Sequence, residues 1–63
     1  MTKYLVTVTA NGYGKHGNPR REIMREEVDA DYLRCALDDA AIIGGADFQA
    51  YPTKRLTITV ERI

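Results

Sequence analysis

A small α+β domain is the fold class this sequence predicts, with element order β-β-α-β, a three-stranded antiparallel sheet in the order 2-1-3 and one helix packed on one face. Three observations predict it. Residues near each end of the chain alternate apolar and polar side chains with a period of two, the signature of half-buried strands, and many of them are β-branched. Between them, Leu33, Ala36, Leu37, Ala40 and Ile43 recur at the three- and four-residue spacing of an amphipathic helix. Gly, Asn and Pro gather between residues 11 and 19, where little can be buried and turn residues abound.

Taken in order, Lys3 to Ala10 sets Tyr4, Val6 and Val8 against Leu5, Thr7 and Thr9, and predicts the first strand. Residues 11 to 19 form a loop, and Arg20 to Val28 reads as a second strand. Ile23, Met24 and Val28 cannot share one face of that strand without a bulge, and a helical start is the competing reading. Asp29 is the expected N-cap of the helix, and Asp31 adds a favourable negative charge to its first turn. Gly44-Gly45 is expected to stop the helix, since glycine readily takes the conformation that closes a helix end. Phe48 to Tyr51 is expected as a short extended piece broken by Pro52, and Leu56 to Ile63 as the last strand. A strand up, a strand down, a returning helix and a final strand beside the first give the 2-1-3 order. The helix stripe then meets Tyr4, Val6, Val8, Leu56, Ile58 and Val60, leaving Leu5, Thr7, Thr9, Thr57 and Thr59 on the uncovered face.

With 63 residues, 44% hydrophobic and 29% charged, residues 1 to 63 make a single small domain with room for one core. A chain of this size buries only about 60% of the surface its unfolded form exposes, so it gains from an added staple or a second subunit. Cys35 and His16 are the only cysteine and histidine and fall in different elements, which excludes an intrachain disulfide and a Cys/His zinc cluster. Cys35 is expected as a small buried hydrophobe beside the helix stripe. Self-association is left as the support, and a homodimer through the exposed edge of the last strand is expected. The chain has no basic leader followed by an apolar run and no stretch long enough to span a bilayer, so a cytoplasmic protein away from membranes is expected.

Gly12-Tyr13-Gly14-Lys15-His16-Gly17 spells the G-x-G-x-x-G pattern of dinucleotide-binding turns. That turn functions when its glycines bring the backbone close to a pyrophosphate and a helix begins immediately after it. Here it runs into Asn18-Pro19-Arg20-Arg21, so it is read as a basic hairpin loop and no cofactor is expected.

The formal net charge of zero conceals segregation along the chain. Residues 13 to 25 carry net +3, residues 26 to 47 net −6 and the remainder net +3, counted from the Lys, Arg, Asp and Glu positions. In the 2-1-3 arrangement Tyr13, Lys15, His16, Arg20, Arg21, Tyr51, Lys54 and Arg55 gather at one tip, opposite Glu26, Glu27, Asp29 and Asp31 at the other end. Such a tip suits phosphates and unpaired bases, or an acidic protein surface; a solvated loop is the bland alternative.

No catalytic constellation is visible. Asp38 and Asp39 point about 100° apart on a helix with no base or nucleophile beside them, and Lys15-His16 lacks an orienting carboxylate. A non-catalytic regulatory or inhibitory protein that docks on a larger protein is therefore the first reading. In size and style, though in no motif, such a compact, cofactor-free chain resembles the accessory proteins that bacteriophages and mobile elements encode to modulate host machinery, inhibitors of immune systems included. The alternative is a small nucleic-acid-binding module with Lys15, Arg20, Arg21, Lys54 and Arg55 on phosphates and Tyr13 or Tyr51 stacking on bases.

Overall fold

In a computed structural model, which describes residues 2–12, 20–51 and 53–63, the chain forms β1 (Lys3–Gly12), β2 (Arg20–Asp29), a 3-10 turn (Ala30–Tyr32), α1 (Leu33–Ala50) and β3 (Thr53–Arg62). The strands form one antiparallel sheet in the order β2-β1-β3, with α1 against one face, as the periodicities predict. Val6, Val8 and Ala10 alternate into full burial along the central strand. Ala36 and Ala40 press onto them from the helix. Small helix residues facing β-branched strand residues let the two layers approach closely, and each buried valine contributes about 1.5 to 3 kcal/mol before entropy is counted.

The second strand is extended, not helical, and it contains the bulge its apolar spacing demands. Val8 pairs with Met24 and Thr9 with Glu22, so Ile23 is the extra residue. With one residue inserted, Ile23 and Met24 both reach the core, and Val28 follows on the same face. The bulge also resets the alternation beyond it. Arg21, opposite Ala10, lies on the helix side, while Arg20, opposite Asn11, lies on the uncovered side.

The helix departs from expectation at both ends. Asp29 stands at the N-cap position of the 3-10 turn, but its side chain makes no capping hydrogen bond, and α1 itself begins after Tyr32. Gly44-Gly45 does not stop the helix, which runs on through Ala50 and absorbs most of the expected extended piece at Phe48 to Tyr51. The reason is contact. A Cβ on Gly44 would stand 2.8 Å from Leu56 Cδ2 and 3.4 Å from Val8 Cγ1, so the missing side chain lets the helix lie on the sheet there. Termination falls at Tyr51, which is extended (φ −126°, ψ 156°) and donates its N–H to the Asp47 carbonyl at 3.0 Å. The following Pro52 disfavours a helical Tyr51.

The helix meets all three strands but leaves part of the expected core uncovered. Ile43, Ile58 and Val60 remain 42%, 39% and 42% exposed. Cys35 is exposed rather than buried, and Asp38 and Asp39, in the first half of the extended helix, are exposed to solvent.

Candidate interaction surfaces

Tyr13, Lys15 and His16 lie outside the described residues. The structure does place Arg20, Arg21, Tyr51 and Arg55 at one end of the sheet, but it divides them between its two faces. On the helix side, Arg21 makes a bidentate pair with Asp47, at 3.2 Å from Nη1 to Oδ1 and 3.0 Å from Nη2 to Oδ2. Its guanidinium also lies over the Tyr51 ring, 5.0 Å from the centroid. Thr53, itself buried, donates its hydroxyl to Asp47 Oδ2 at 3.5 Å. Asp47 is the residue that sequence reasoning missed: counted with the acidic segment, it is carried to the basic tip by the continuation of the helix past Gly44-Gly45. Its signal was the helix rhythm itself, which continues at Phe48 once the glycines are read as a contact surface.

On the uncovered face, Arg20 and Arg55 flank Asn11 across the two strand pairings. Lys54 is the extra residue where the pairing shifts from Asn11↔Arg55 to Gly12↔Thr53, and it is exposed. Toward the middle come Thr7, Thr9, Thr57 and Thr59, and at the far end Glu27 and Glu61 flank Leu5. One face therefore grades from basic through hydroxyl-bearing to acidic. Arg25 and Glu22, paired at 2.7 Å on this face, are both largely exposed, so the pair contributes little to stability.

A third surface lies where α1 passes over β2. Met24, Ile42 and Ile43 line a shallow groove whose rim carries Arg25, Glu26 and Asp39. Ile42 is 69% exposed at its mouth. Among the described residues no three His, Cys, Asp or Glu side chains converge as a metal site, and no helix is long and apolar enough to cross a membrane. Compared with known protein families, curated proteins and solved structures, the chain matches none, and its own residues must carry the functional reading.

Proposed function

We propose that this is a small non-catalytic regulatory or inhibitory protein that acts by binding a larger protein. The observation that carries the reading is the imbalance between core and surface. Val6 and Val8 are the only large side chains fully buried among the described residues, whereas Ile42, Ile43, Phe48, Tyr51, Ile58, Val60 and Ile63 are all exposed. Scattered apolar residues need no explanation, but a groove lined by Met24, Ile42 and Ile43 and rimmed by Arg25, Glu26 and Asp39 suits a partner. Glu26 and Asp39 select an apolar side chain flanked by lysine or arginine.

The nucleic-acid reading draws less support. Arg21 is already engaged by Asp47 and Tyr51, and Arg20 and Arg55 stand on the opposite face from Tyr51, which separates these two arginines from that tyrosine among the described residues.

Tagged protein applied to extract of its native host should retain one stoichiometric protein, and an Ile42→Asp variant of unchanged fold should lose it. A blank capture, or equal capture by the variant, contradicts the reading. In parallel, a gel-shift series at low salt should show no binding to single-stranded or duplex oligonucleotide. Binding that weakens steeply with salt and is cut by replacing Arg20 and Arg55 with alanine would put the nucleic-acid module in its place.

A further inference from the structure

We propose that β3 pairs with β3 of a second copy, antiparallel across a twofold axis at Ile58, to give a continuous six-stranded sheet with both helices on the same face. This surface is separate from the groove over β2, so the proposal stands whether or not that groove binds a partner.

Backbone geometry is the first support. The Ile63 N–H donates to the Lys3 carbonyl at 3.0 Å, which fixes the odd-numbered residues of β3 as those bonded to β1. The amides and carbonyls of Leu56, Ile58 and Val60 therefore point out of the sheet along its edge. A twofold axis at Ile58 requires that same set, because Ile58 faces itself and Leu56 faces Val60 of the partner subunit in hydrogen-bonded pairs.

Charge selects the register. With Ile58 on the axis, Arg55 faces Glu61 of the partner subunit, and this opposite-charge pair occurs twice. Thr57 faces Thr59 of the partner subunit between them. A slip of two residues either way, to Thr57 or Thr59 on the axis, sets Arg55 against Thr59 or Ile63 and abolishes both ion pairs. Lys54 and Arg62, which this register also brings near one another, are spared close approach because Lys54 is the bulged residue.

The two edges of the sheet also differ in a way that directs pairing to this one. β2 carries charge at seven of its ten positions and a bulge at Ile23, both of which obstruct edge-to-edge association. β3 has five consecutive uncharged residues, Leu56 to Val60, with Ile58 and Val60 incompletely covered by the helix. In the dimer each of these lies against an apolar residue of the partner subunit.

The test is sedimentation velocity of the purified protein from about 10 µM to 1 mM, the range suited to an interface of a few residues per strand. The expected result is a shift from the 7.1 kDa chain to a species of twice that mass as concentration rises. Arg55→Glu and Glu61→Arg should each weaken dimerisation about tenfold or more by setting like charges opposite one another twice, and the double variant should restore it. Both positions are exposed, and circular dichroism checks that the variants remain folded. A wild-type protein that stays monomeric throughout, single reversals without effect, or a double variant that fails to recover would each overturn the proposal.

Discussion

Arg21 is held by Asp47 on one side and Tyr51 on the other, so its removal should be felt in stability. Asp47 has a side chain only 10% exposed, and its carboxylate loses two charge-assisted hydrogen bonds when the guanidinium goes. Arg21→Ala should cost about 1 to 2 kcal/mol, a fall of roughly 4 to 15 °C in Tm for a domain of this size. Arg20→Ala, which removes an exposed arginine with no such partners among the described residues, should lie within about 0.5 kcal/mol of the wild type. Thermal unfolding of the two variants separates them, and equal losses would contradict the distinction. The sequence places these neighbours together in one basic run. Only the bulge at Ile23 and the path of the helix decide that one turns inward to a carboxylate while the other faces water, and an isolated run of charges contains neither fact.

Within α1, the adjacent glycines meet opposite surroundings. Gly45 has open space where its Cβ would stand, so Gly45→Ala should stabilise the helix by about 0.5 to 1 kcal/mol through reduced freedom of the unfolded chain and better helix propensity. Gly44 faces Leu56 at 2.8 Å, so Gly44→Val should destabilise by about 1 to 3 kcal/mol as strand and helix are forced apart. Chemical denaturation of both variants measures the contrast, and a stabilising Gly44→Val would show that the close approach is not real. This is also where local reading of the chain fails. The strands were legible because a period of two states both an element and its buried face, and even the bulge was implied by the spacing of Ile23, Met24 and Val28. A glycine pair, however, serves equally as a helix stop or as a place where a helix touches a sheet, and the choice rests on a residue twelve positions later. The same long-range dependence hid Asp47 at the tip and left Cys35, Ile43, Ile58 and Val60 less covered than an idealised helix stripe would make them.

At the scale of the whole molecule, one helix on three ten-residue strands leaves, among the described residues, a graded open face, a groove over β2 and an unpaired β3 edge, and function is expected where the fold stops covering itself. The edge is the most directly measurable of these surfaces, because neighbouring amides along β3 point in opposite directions. Residue-resolved amide hydrogen exchange, recorded at low and high protein concentration, reads them separately. Thr57, Thr59 and Glu61 should be protected at both concentrations by their bonds to β1. Leu56, Ile58 and Val60 should exchange rapidly when dilute and become protected when concentrated. Rapid exchange of those three amides at every concentration would contradict the account.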